Sequence, residues 1–262
     1  RTECERVMSN NVRPGKLHHS CCPGITFHQR FTPESAGLEF LSGGEFELPP
    51  QSQTRAFQFP GEESLLYQWR GESDAVVDGT PFHLAPYDIL YVPLGASFRL
   101  SNPGLESSRI LQTSAPAQHQ HPVFHARFAE LSKIESRIRR MKGKNVYLMF
   151  DVGEKADKLV AGYTFFEPHA RSWPPHNHTD QEEAYIFIKG RGAMEVYESP
   201  ETLSFVHSVD EGDIVTIPML NYHPVFAQEL PLEFIWCIAG ERYWVGDKNK
   251  DFLKGSVSSV TT

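Results

Sequence analysis

The 262-residue chain is 40% hydrophobic and 12% aromatic, so it can bury a sizeable core, and with 22% charged residues it is not a disordered segment. Its formal net charge of −8 removes the basic footprint that nucleic-acid binding needs, although one placed Arg or Lys suffices for a small anionic substrate. No apolar run approaches the roughly 20 residues of a bilayer span, so neither nucleic acid nor membrane is expected as a partner.

Residues 1–25 read as an N-terminal extension without the apolar core of a secretory signal. Cys4, Cys21, Cys22 and Cys237 show no metal-knuckle spacing, and Cys237 lies in the apolar run "LEFIWCIAG" as a small core residue. A reducing, cytoplasmic setting follows as the expectation.

Short runs of Val, Ile, Phe, Tyr and Leu between Gly and Pro punctuation then fill the chain: "SLLYQWRG", "DILYVPLG", "EAYIFIKG", "DIVTIP". This is the signature of an all-β sandwich or barrel. Only "RFAELSKIESRIRRMKGKN", residues 127–145, has partial helical spacing; it reads as a linker carrying a short helix. The flanking segments, 26–126 and 146–247, echo one another. Each runs strand, Gly-rich turn, strand, loop, then an acidic turn before an apolar strand ending at Pro, as in "PYDILYVPLG" and "EGDIVTIPML". Two copies of one β domain are expected. A small polar tail, 248–262, closes the chain.

The copies differ in their ionisable groups. The second carries His176 and His178, then Glu182 and Glu183, in "PPHNHTDQEEAYIF", and later His223. The first has "ELPPQSQTRAFQFPGEES", with no histidine, and Ser97 or Phe98 opposite His223. On a strand, His176 and His178 would share a face. Glu183 would join them with Tyr185 and Phe187, and Glu182 would point away. His223 can meet them across a small barrel. Three imidazoles and a carboxylate suit a divalent ion: zinc first, with iron, manganese or nickel open. "HQH" at His119–His121 reads as a plain loop, and His18–His19 as ordinary polar residues.

These residues resemble the cupin pattern: His176, His178, Glu183 and Gly190, then Gly212, Asp213, Pro218 and His223. More closely, "WPPHNHTDQEEAYIF", "IPMLNYHPV", "FIWCIAGERYWVGDKNKDF" and "SAPAQHQHP" resemble the family that holds 5-keto-4-deoxyuronate isomerase and 5-deoxy-glucuronate isomerase. The resemblance covers most of residues 40–252. It implies two tandem jelly-roll (double-stranded β-helix) domains, the first degenerate and metal-free, the second metal-binding. It also implies a metal-dependent ketol-isomerase of a uronate or deoxyuronate, in carbohydrate or inositol catabolism. Glu183 and Tyr185 are then the catalytic candidates. Tyr163, Arg171, Lys189 and Arg242 are candidate substrate contacts, although each tyrosine also reads as a core aromatic and each cation as a solvated charge. A ferrous cupin dioxygenase and a non-catalytic sugar-binding cupin share the same ligands. Exposed edge strands make a homo-oligomer, a dimer or larger, the expected state.

Overall fold

The computed structural model describes residues 18–22, 25–172, 175–243 and 257–259. Antiparallel strands dominate, as the Gly- and Pro-bounded apolar runs require. Two units emerge. One is the chain up to Leu131 together with Glu154–Leu159; the other is Ser132–Gly153 and the chain from Val160. No helix among the described residues is long and apolar enough to cross a membrane.

Each unit is a jelly roll, and the two have one wiring. In the first, Ser42–Leu48, Ser108–Pro116, Glu62–Arg70 and Ile89–Val92 lie side by side in that order. In the second, Leu159–Phe166, Leu232–Gly240, Gln181–Lys189 and Ile214–Ile217 do the same. The opposing sheets match too: Phe98–Asn102, Ser73–Val77 and Thr80–Leu84 in the first correspond to Val225–Ala227, Arg191–Ser199 and Thr202–Asp210 in the second.

Register makes the correspondence exact to the residue. Ser64 pairs with Val92 just before Pro93, and Glu183 pairs with Ile217 just before Pro218. Ser64 is therefore the counterpart of Glu183. Phe57 and Phe59 lie seven and five residues ahead of Ser64, as His176 and His178 do of Glu183. In the first unit Phe98 stacks on Phe57 at 5.9 Å and on Phe59 at 5.7 Å, and meets Phe46 edge-on. Phenylalanine rings thus stand at the register positions that imidazoles hold in the second unit.

Three expectations need correction here. The expected linker holds a four-residue helix, Phe128–Leu131, at the end of the first unit, but of the basic stretch after it only the 3-10 turn Glu135–Arg137 is helical: Ile138–Met141 and Lys144–Phe150 form an antiparallel pair in the second unit. β-Branched and aromatic side chains at alternate positions, Val146 and Leu148 inward, outweigh the spacing of the basic residues. His18–Cys22 is not mere extension but an edge strand on Ile25–Phe31. Of the tail, Val257–Ser259 pairs with Ala170–Ser172; the rest, like residues 1–17, lies outside the described residues. Cys237 is fully buried, as its apolar run requires.

Candidate metal centre

His176 and His178 lie on irregular chain just before the strand Gln181–Lys189, not on a strand as alternation predicts. His223 lies on the loop before Val225–Ala227. Hydrogen bonds sew the two loops together. Leu220 N donates to His178 O at 2.7 Å, and the Asn177 amide donates to Leu220 O at 3.0 Å. Val225 N donates to Ser172 Oγ at 3.0 Å, tying the strand before the first loop to the strand after the second. Glu183 comes up from the sheet between them.

The four side chains converge: one ligand atom from each of His176, His178, Glu183 and His223 lies within 4.8 Å of all the others. The Nε2 atoms of His223 and His178 stand 3.0 and 3.3 Å from Glu183 Oε2. His178, Glu183 and His223 are buried, and His176 partly so.

Tautomers follow from the partners behind the rings. His223 Nδ1 faces the Asn221 carbonyl at 2.9 Å, which can only accept, so Nδ1 carries the proton. His178 Nδ1 faces Gln181 Oε1 at 2.7 Å; that amide's nitrogen donates to Glu241 O and Tyr243 O, so its oxygen must accept from His178. Both Nε2 atoms therefore aim bare lone pairs at the carboxylate. His178 Nε2, His223 Nε2 and Glu183 Oε2 are buried and make no hydrogen bond. Three converging, buried lone pairs repel unless a cation lies among them. Imidazole and carboxylate donors, held from behind, fit a divalent transition ion.

The electrostatics agree. Burial works against ionised Glu183, and only positive charge at His178 and His223 outweighs it and lowers its pKa to about 2; with both Nε2 atoms bare, a bound cation would have to supply that charge. Burial, then the neighbouring His223, His178 and Lys144, hold His176 well below the usual histidine value, so its imidazole stays neutral. Burial and then Glu183 push the Tyr185 phenol well above 10, so it keeps its proton.

A pocket opens beside the cluster, with His176, His178 and Glu183 in its lining. Its wall shows the period-two alternation of four neighbouring strands: Lys144 and Val146, Thr164 and Phe166, Glu183 and Tyr185, then Phe234, Trp236 and Ile238. Tyr185 is thus placed at the cavity, 5.6 Å from the His223 ring. Glu182 is buried and does not line it.

The other expected substrate contacts do not line it either. Lys189, exposed beyond the strand end, meets Glu233 at 3.3 Å. Arg242 donates to Asp151 O and lies over Phe150. Tyr163 alternates with Thr164 and so faces the opposite side of the sheet. Arg171 is on the strand Ala170–Ser172, where Ser172, not Arg171, reaches the wall. Nearness in sequence to the motifs chose the three cations, and Tyr163 was expected to face inward; strand pleat and strand length turn all four away. The cation at the cavity is Lys144, which sequence reasoning missed. It is 6% exposed, its ammonium 5.5 Å from the Phe166 ring, and desolvation, offset in part by Glu183, lowers its pKa to about 8. The alternation of "KNVYLMF" was the signal available.

The sequence profile of the KduI/IolB family matches residues 18–254. The chain belongs to that family. Two curated relatives are both named 4-deoxy-L-threo-5-hexosulose-uronate ketol-isomerase. The one from Bacillus pumilus is 27% identical over 195 residues, covering 70% of this chain and 68% of the relative. The one from Levilactobacillus brevis is 23% identical over 188 residues, covering 68% and 66%. This chain thus spans about two thirds of the length of each. Among solved structures, an IolB-like protein of Salmonella typhimurium LT2 superposes with a TM-score of 0.70 at 18% identity, over 89% of this chain and 92% of that one. Oxalate decarboxylase of Bacillus subtilis does so with a TM-score of 0.71 at 15% identity, over 97% and 91%. At such identities these two show the fold alone: KduI/IolB members and the decarboxylase share the tandem cupin architecture.

Proposed function

We propose that this chain is a ketol-isomerase of a sugar acid, a hexosulose uronate or close relative, working with a divalent ion held by His176, His178, Glu183 and His223. One observation carries the reading: in a member of the KduI/IolB family, three buried, hydrogen-bond-free ligand atoms converge at the edge of a pocket. Zinc is the ion we expect.

Aldose–ketose interconversion moves one proton between adjacent carbons and one between their oxygens. A divalent ion held there supplies Lewis-acid polarisation of a carbonyl and the hydroxyl beside it. The side chains supply the rest. Glu183 is the carboxylate on the cavity wall, and we assign it the transfer of the carbon-bound proton. Tyr185 keeps its proton at neutral pH and donates a hydrogen bond to the oxygen that gains charge. Phe166, Phe234, Trp236 and Ile238 exclude water and strengthen both interactions.

The test is turnover by zinc-loaded protein of 4-deoxy-5-hexosulose uronate and a panel of hexuronates, followed by proton NMR, with an oxygen electrode in parallel. Interconversion of aldose and ketose without oxygen uptake is expected. Oxygen consumption, or no conversion of any sugar acid by metal-replete protein, overturns the proposal.

A further inference from the structure

We propose that Lys144 is the receptor for the substrate's carboxylate and thereby makes the cavity select sugar acids over neutral sugars. This rests on the isomerase reading above and concerns a residue outside the ligand cluster.

A charge inventory of the wall leads there. Apart from the metal-facing imidazoles and Glu183, the wall is Val146, Thr164, Phe166, Ser172, Tyr185, Phe234, Trp236 and Ile238, all uncharged, and Lys144. A sugar acid entering this space gives up the water around its carboxylate. That transfer is costly unless a cation receives it. Lys144 is the cationic side chain on the wall, and it is buried at 6% exposure on the strand Lys144–Phe150.

Its position gives the cavity two poles. Lys144 opens its strand, paired with Phe166, and shares a face with Val146. The ligand cluster lies across the same wall: Glu183 is on Gln181–Lys189, three places along the sheet from the strand of Lys144. A hexuronate has the same two poles: a carbonyl–hydroxyl pair at one end of the carbon chain and a carboxylate at the other. Bound with the first at the ligand cluster, it presents the second to Lys144. Lys189, Arg171 and Arg242 do not line this wall.

The test compares wild type, Lys144→Met and Lys144→Arg, all zinc-loaded, by calorimetric titration with D-galacturonate and with D-galactose. Wild type should favour the acid. Lys144→Met should weaken galacturonate binding roughly 10- to 100-fold, the size expected for losing one charged hydrogen-bond partner. Its galactose binding should stay unchanged, and Lys144→Arg should recover part of the preference. In turnover, KM for the uronate should rise by a similar factor while kcat changes only a few-fold.

Zinc content equal to wild type shows that the variants retain the centre; if Lys144→Met does not fold, Lys144→Arg and Lys144→Gln carry the comparison. Unchanged galacturonate affinity in the variants, equal loss for both sugars, or a fall in kcat with KM unmoved overturns the proposal. A Lys144-dependent preference in a wild type that isomerises nothing would overturn the isomerase reading and leave the receptor standing. Isomerisation with a preference that survives Lys144→Met does the reverse.

Discussion

Gln181 decides which nitrogen of His178 faces the ligand cluster. Its oxygen accepts from Nδ1 while its nitrogen is held by two backbone carbonyls, so the amide cannot flip without losing three hydrogen bonds. Gln181→Leu should therefore bind zinc roughly 10- to 100-fold more weakly, with the backbone fold kept, as measured by competition with a chromogenic chelator. His178→Ala should lose the ion altogether, read as metal per chain after gel filtration. At this scale the ligands were legible in the sequence, because imidazoles two apart and a carboxylate five further on form a pattern that needs no long-range knowledge. Lys144 was not. A lysine in "RRMKGKN" looks like one more solvated charge until strand pairing shows which side of the sheet it faces.

Strands carry the next level of specification. Gly162, on the strand beside Tyr147 and Trp236, has no room for a methyl group: a Cβ there would collide with the Tyr147 carbonyl and the Trp236 indole. Gly162→Ala should cost about 1–3 kcal/mol by overpacking, seen as a lower urea midpoint. It should also impair sugar binding, because Trp236 lines the cavity. The strands themselves were readable from alternation and punctuation. Two features were not. The Lys144–Phe150 strand was hidden because basic residues at helical spacing masked its inward Val146 and Leu148. The histidine-bearing loop was read as strand because its geometry depends on Leu220, 42 residues past His178, whose backbone holds it.

At the scale of the whole chain, the two units should respond to different conditions. Removing metal with a chelator should lower protection from hydrogen exchange in Gln181–Lys189 and Leu232–Gly240 and leave Glu62–Arg70 unaffected. A ligand bound at 100 times its Kd stabilises the fold it binds by about 2.7 kcal/mol. The first unit holds an acid-sensitive carboxyl of its own. Burial raises the proton affinity of Asp157, but the backbone N–H groups of Gln118 and His119 and the imidazoles of His121 and His119 outweigh it, holding the carboxyl well below its usual range. A depressed carboxyl stabilises the folded state fully above its unfolded value of about 3.9, and that contribution drains away as pH falls through the folded value. Urea midpoints should thus drop from pH 5 toward pH 3 more steeply in wild type than in Asp157→Asn.

The duplication was legible in the repeated turn motifs, but the residue-by-residue correspondence needed strand register, and register is fixed by pairing between segments far apart in the chain. That correspondence has a consequence for counting. Since Phe57, Phe59 and Phe98 occupy in one half what His176, His178 and His223 occupy in the other, the described residues gather a metal-type donor set at one of two equivalent places. An isothermal saturation curve with zinc should break at a single equivalent per polypeptide.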